Sequence, residues 1–471
     1  MKNFACGFIF LVATSWITAV PDYNYVDEIY HWKKVEFDGL PKSADSSVGP
    51  YPYYIPENNN INDVGYHAAS GLVLVTILRV RPGVPITVGA FCAKNYEFGS
   101  SPKIWGFPNY GLNTLQDSDF VKGPLEKYKG DNIPNPIRQD HNQVHHIPTY
   151  YKPTIFPNSE QSNLDRIISV VYITIDDKCN RVFFMDNGQF NYFRNTTYFV
   201  RKPTLVAIDL PMNGCETKDF LTIRRSEFSN RIAAYGSDGF VSPVIDYYPS
   251  GKCDEPFVYI PNAFFSNLFV YDYKKDDFWV FEHKTFLPVI SESYFIFDKT
   301  IKYQAEFGIY ALALGFADKY GNRDVYYAPM ASTAQYSVST KILKDRRKFP
   351  MNFHYDDFHI MGYKGDHHQV VSMAVDYKYG ILFFGEVQSQ QIRCWNMNKP
   401  LNPDNIGVIF ESEKLLVGFE VMIDSEGYLW CTTNQIAVNY LTETYLDHGK
   451  VNTQVFRLKI SDAIQGTVCY G

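Results

Sequence analysis

One short pattern recurs down most of this chain and constrains its fold more than any other feature: an apolar strand ending in Asp, a tight turn, then a second apolar-aromatic strand. In one copy Ile173, Thr174, Ile175 and Asp176 lead through a turn at 178–181 into Val182, Phe183, Phe184 and Met185. In another, Met373, Ala374, Val375 and Asp376 turn at 377–380 into Ile381, Leu382, Phe383 and Phe384. A third runs Val421, Met422, Ile423, Asp424, turns through Gly427, and continues Tyr428, Leu429, Trp430. Weaker copies stand at 244–246 before 257–259, at 311–314 before 325–327, and at 66–71 before 72–74. About six copies at periods of tens of residues mark a radial array, because a lone four-stranded unit cannot bury both of its faces. The expectation is an all-β, six-bladed β-propeller, with function where the blades converge.

Composition narrows the setting. The 36 Tyr and 36 Phe against 9 Met suit pleated sheets better than helices. A net charge of −7 with no clustered basic face argues against a nucleic-acid partner. The one basic run, 341–348 with Lys341, Lys344, Arg346, Arg347 and Lys348, reads as a solvated loop. Lys2 ahead of an apolar stretch over 4–17, with Thr18 and Ala19 at a small-residue cleavage point, reads as a secretory signal peptide over 1–19. No later run approaches the roughly 18 apolar residues that span a bilayer. The expected product is therefore soluble and extracellular, with no membrane partner; its oligomeric state is not legible. Once Cys6 leaves with the signal, seven cysteines remain without CxxC spacing, which favours disulfides, with one thiol over. Asn195, Thr196 and Thr197 form a glycosylation sequon.

Residues 20–63, polar and rich in Pro, Asn and Tyr, read as an irregular N-terminal arm, and 64–471 as the propeller. Within it, about 100–162 is a long stretch without strand periodicity, of a length that suggests a loop covering the mouth of the array. Residues 454–460 alternate apolar and polar, as a strand that closes the ring and removes an exposed edge should.

Several runs resemble the yellow / major royal jelly protein family of insects: 176–188 (Asp-Asp-Lys-Cys-Asn-Arg-Val-Phe-Phe-Met-Asp-Asn-Gly), 79–85 (Arg-Val-Arg-Pro-Gly-Val-Pro), 308–314, 380–385 and Cys394-Trp395-Asn396. They stand in the family's order over nearly the whole mature chain. The resemblance implies a secreted, glycosylated six-bladed propeller. It also implies disulfides joining Cys179 to Cys253 and Cys394 to Cys469, and leaves Cys92, Cys215 and Cys431 open. Members act in cuticle and eggshell pigmentation, dopachrome conversion, bee jelly and amine scavenging in saliva, so no single activity follows.

Candidate chemistry is sparse. The strand-ending Asp176, Asp246, Asp376 and Asp424 are expected to fix tight turns by accepting backbone N–H bonds. Two histidine-rich stretches, His354, His359, His367 and His368 with their Asp neighbours, and His141, His145 and His146, match no standard metal-ligand spacing, so no metal or other cofactor is expected. The resemblance points to Asn434, which follows the Leu-Trp strand and in the amine-binding salivary members faces the ligand; Asn262 is similarly placed. Both amides donate and accept, as recognition of an amine or phenol requires. The chain departs from the salivary pattern at two walls of that site: Phe419 stands where those members carry Thr, and Ile436 where they carry Phe. No GxSxG, HExxH, Walker or GxGxxG motif occurs. The expected function is a pigmentation-related binder of a small catechol, indole or biogenic amine in the central cavity. The alternatives are a dopachrome-converting isomerase, which needs only a positioned acid-base group, and a structural or nutritive protein.

Overall fold

Each strand-ending Asp makes the bond its turn requires. Asp176 Oδ1 accepts from Cys179 N, Asp376 Oδ1 from Tyr379 N, Asp246 Oδ1 from Tyr248 N, and Asp424 Oδ1 from both Glu426 N and Tyr428 N. The turns then close through left-handed residues, Gly380 at φ 69°, Gly427 at φ 85° and Asn180 at φ 51°, a conformation Gly and Asn adopt at least cost. The turn-forming role expected of these aspartates is the one observed.

The computed structural model describes residues 23–43, 45–120, 145–147, 165–191, 197–215, 221–297, 301–349, 355–415, 420–436, 439 and 444–471. Six four-stranded antiparallel sheets form a ring, a six-bladed β-propeller. Their first strands, Ile61–His67, Val170–Asp176, Val244–Asp246, Ile309–Ala317, Val370–Asp376 and Glu420–Ile423, pack on one another from blade to blade and line the axis. Second strands follow as Leu72–Ile77, Arg181–Asp186, Phe257–Asn262, Arg323–Pro329, Ile381–Glu386 and Tyr428–Asn434. These are the buried runs, and their Val, Ile, Leu and Phe side chains fill the layers between blades.

The ring closes through a strand the sequence hid. Blade 6 continues from Thr453–Lys459 to Val26–Trp32, which pairs from Val26 opposite Leu458 to Trp32 opposite Thr453. The stretch expected to be an irregular arm thus supplies the outer strand of the last blade, and 454–460 is flanked on both sides within that blade rather than pairing it with the first. A bulge between Glu28 and Tyr30 hides this strand in the sequence. It breaks the period of two, so Ile29 and Tyr30 are both buried and no alternation survives to be recognised. Trp32, 1% exposed, anchors the closure by donating Nε1–H to Pro102 O at 2.9 Å.

Three disulfides tie blades together: Cys179–Cys253 and Cys394–Cys469, as the resemblance implied, and Cys92–Cys215. Each closes a loop of 74 residues or more, which constrains the unfolded chain by roughly 4 kcal/mol in the chain-entropy account. Cys431 is free and buried. The basic run also differs from expectation. It folds into the short helical turns Thr340–Leu343 and Arg346–Lys348, and Lys344 Nζ sits 2.6 Å from the buried Asp246 carboxylate. Arg346, Arg347 and Lys348 likewise pair with Asp277, Asp345 and Asp357. No described helix is long and apolar enough to cross a membrane.

Part of the long insertion belongs to the framework: Trp105–Gly106 completes blade 1, and Asn113 Oδ1 accepts from Thr87 N and Val88 N. Further on, His145–Ile147 pairs in parallel with Tyr303–Ala305 of a hairpin on the face where the first strands begin. That hairpin is fastened there by Ile296 N to Gln388 Oε1 and by Gln369 Nε2 to Glu292 O. The signal peptide, the sequon at Asn195 and most of 121–164 lie outside the described residues.

Candidate functional site at the propeller axis

Every blade offers the axis one polar side chain at a fixed register. Counting four residues back from the strand-ending position gives Tyr172, Ser242, Ser372 and Glu420 ahead of Asp176, Asp246, Asp376 and Asp424. In blade 1 the same count gives Asp63 ahead of His67, and in blade 4, whose first strand runs on to Ala317, Tyr310 stands four places before Leu314 near the strand's start. An even spacing along a strand keeps side chains on one face, so the recurrence lines these six up around the axis.

They meet across it. Ser242 Oγ, from blade 3, donates to Glu420 Oε1, from blade 6, at 2.7 Å. The hydroxyls of Tyr172 and Tyr310 lie 2.5 Å apart, joining blades 2 and 4. Val421 N donates to Ser372 Oγ at 3.0 Å, and Asp63 accepts from Val64 N at 2.8 Å and Ile173 N at 2.9 Å. Tyr172, Ser242, Tyr310 and Glu420 are half-buried, while Asp63 and Ser372 are buried.

Burial dominates the electrostatics of this ring. It raises Asp63 to about 7 against the two N–H bonds that favour its anion. Glu420 is pushed well above the usual carboxylate range, first by burial and then by the neighbouring Asp63 charge, with Ser242 and Ser372 pulling the other way. Burial likewise raises the Tyr172 and Tyr310 phenols. The ring is thus a set of groups that hold protons near neutral pH and can both donate and accept them.

The asparagines singled out from the sequence stand one layer behind. Asn434, 2% exposed, donates Nδ2–H to Asn62 O at 3.2 Å and accepts from Ile436 N at 2.9 Å. Asn262, fully buried, donates to Asp238 O at 2.8 Å and accepts from Phe265 N at 2.9 Å. The two amides each give their oxygen and one N–H to backbone groups. They hold the segments that carry Asp63 and Asp238, and burial raises Asp238, too, to about 7. Ile436 packs with Leu78 and Val80 and lines a cavity of about 10 Å³ beside Asn58, Asn60 and Arg81, room for a single water. Phe419 and His354 lie outside the described residues. Of the other histidines, His359 is exposed on Phe358–Tyr363, and His368 Nδ1 lies 2.7 Å from Glu386 Oε2. No group of three or more His, Cys, Asp or Glu suited to a metal occurs among the described residues.

A family model described as Major royal jelly protein matches residues 168–469. The yellow-related salivary protein ASP4 of Phlebotomus orientalis is 35% identical, covering 100% of this chain and 98% of that protein. L-dopachrome tautomerase yellow-f of Drosophila melanogaster is 28% identical, covering 94% of each. Among solved structures, a Bacteroides thetaiotaomicron protein of unknown function aligns with a TM-score of 0.42 at 8% identity, over 92% of this chain and 75% of its own.

Proposed function

The chain belongs to the major royal jelly protein family, and on that premise we propose that it is an exported propeller whose axial mouth binds a small catechol, indole or biogenic amine. The observation that carries this reading is the axial ring. Six blades contribute two carboxyls, two phenols and two hydroxyls to one axial ring. Such a set offers convergent donors and acceptors of the kind that orient a small polar aromatic ligand. Export is supported by the signal-like segment over 1–19, the three disulfides and the salivary relatives. For a role in pigmentation the support is the family and its dopachrome tautomerase member alone.

A second reading, conversion of dopachrome, is favoured by the protons that Asp63 and Glu420 hold near neutral pH. A tautomerase must remove a proton at one atom and return one at another, and two carboxyls of raised pKa suit both tasks. The deciding experiment is calorimetry of the purified protein with dopamine, serotonin and octopamine, alongside loss of dopachrome colour against heat-killed protein. Saturable binding without turnover supports the carrier; turnover abolished in Glu420→Gln supports the isomerase; silence in both assays removes the axial site and leaves a structural role.

A further inference from the structure

The carboxyls of the axial ring are not equally available. Both oxygens of Asp63 are occupied by backbone N–H donors, and Glu420 is held by Ser242. Asp238 differs. It lies on the segment that leads into the innermost strand of blade 3, beside Asn187 and Asn262 at the ends of the second strands of blades 2 and 3, on the face where the first strands begin. Its Oδ1 accepts from Gly239 N at 2.7 Å and from Asn187 Nδ2 at 3.3 Å, and its Oδ2 accepts no hydrogen bond from any described residue. The side chain is half-buried, and no ion pair ties it to a described lysine or arginine.

The surroundings of this carboxylate are rigid. Asn262 holds its carbonyl, Gln189 Nε2 donates to Ser237 O at 3.2 Å, and Gly239, at φ 78°, is backed by Phe264, which would lie 2.4 Å from any Cβ there. Asn187 supplies a second and independent sign of a missing partner. It is 1% exposed, and with Nδ2 turned to Asp238 its Oδ1 has no hydrogen-bond partner. A buried amide oxygen left unmatched costs about 1–3 kcal/mol unless a donor reaches it. An unmatched acceptor beside an open carboxylate calls for a group rich in N–H donors and positively charged.

We propose that Asp238, with the Asn187 amide beside it, is the cation-recognition subsite of the axial mouth and takes the ammonium group of a small amine. The aromatic body of the ligand then faces the ring of Tyr172, Tyr310 and Glu420. This assignment rests on the axial-ligand reading above and adds to it a charge class and a named anchor. A charge-assisted hydrogen bond to a carboxylate contributes about 1.5–3 kcal/mol, which corresponds to roughly ten- to hundredfold in affinity.

The test compares ligands that differ only at the cationic group. Calorimetry at pH 8, where Asp238 is ionised, would titrate the full-length exported protein with tyramine and its neutral alcohol tyrosol, and with serotonin and 5-hydroxytryptophol. The amines should bind at least about tenfold tighter than the alcohols. Asp238→Asn, which keeps an oxygen for the Gly239 N–H, should erase that preference while leaving the affinity for the alcohols within about twofold. Equal affinity for amine and alcohol in the wild type overturns the subsite and leaves the axial reading standing, as does a preference that survives in Asp238→Asn. Binding of none of the four ligands removes both. Should Asp238→Asn fail to fold, Asp238→Ser supplies the same comparison, and an amine preference that survives in it overturns the subsite.

Discussion

Replacing Asp63 with Asn isolates what it costs to hold a carboxyl at the axis. Asp63 is 3% exposed, and both of its oxygens accept backbone N–H bonds, from Val64 and Ile173. Those bonds favour the anion, yet burial outweighs them and carries the pKa from 3.8 to about 7, a rise of about three units. Between about pH 4 and pH 7 the native state therefore keeps a proton that the unfolded chain has released. The contribution of Asp63 to stability is full below that window, declines as the pH rises through it, and is flat above. At about 1.36 kcal/mol per unit, the swing is up to about 4 kcal/mol. Asn is neutral throughout and has one acceptor oxygen, so it leaves one of the two N–H groups unmatched at a fixed cost of about 1–3 kcal/mol. The variant should thus be the less stable protein at pH 4, and the gap should close or reverse by pH 8. Chemical denaturation of both proteins at pH 4, 6 and 8, with disulfides intact, measures the gap directly. A gap that does not change with pH refutes the reasoning, because it means that water in the lumen solvates Asp63 and leaves its pKa ordinary.

Three other outcomes follow from buried groups away from the ring. Lys364, fully buried, donates to Ala334 O at 2.8 Å, and burial draws its pKa down to about 7 despite Glu386 and Glu292. The unfolded chain then binds the extra proton between pH 7 and pH 10, so wild-type stability rises with pH there; calorimetric scans should show Lys364→Met losing up to about 4 kcal/mol relative to wild type over that range. The Cys431 thiol, fully buried and raised in pKa first by burial and then by Glu420, should resist iodoacetamide in the native protein and take up a single label on denaturation without reductant; labelling under native conditions would contradict its burial. Trp32→Ala should destabilise by about 3–5 kcal/mol in urea denaturation, and an unchanged midpoint would mean that the closing strand contributes little.

The blades were legible because their first two strands obey simple local rules. An apolar run, an Asp that accepts the N–H groups of its own turn, and a left-handed Gly or Asn leave a mark at every copy, as at 376–380 and 424–427. The closing strand was not, because a single bulge at Glu28–Tyr30 scrambles the alternation on which strand reading depends. Lys344 reads as a solvated charge in the sequence because its partner, Asp246, lies some hundred residues away. The axial ring was also missed, although its signal was present. The residue four places before each strand-ending Asp is polar or phenolic in blade after blade, but Tyr, Ser, Asp and Glu share no residue identity that a motif would capture. Only the register unites them, and register becomes a site only when six strands converge.

That convergence changes what Asn262 and Asn434 are for. The two close the second strands of blades 3 and 6, which face each other across the ring, and each spends its amide on the backbone of a segment carrying a carboxyl of raised pKa. In each amide the carbonyl oxygen and one of the two N–H groups are engaged in a buried setting where releasing them is costly. Each therefore acts on the axis at least through the segment it holds. Asn262 fixes the carbonyl of Asp238 while Gly239 and Asn187 fix Oδ1, which leaves Oδ2 as the one freely presented oxygen. Asn262, expected from the sequence to touch a ligand, thus also supports the segment that carries Asp238, the anchor proposed above.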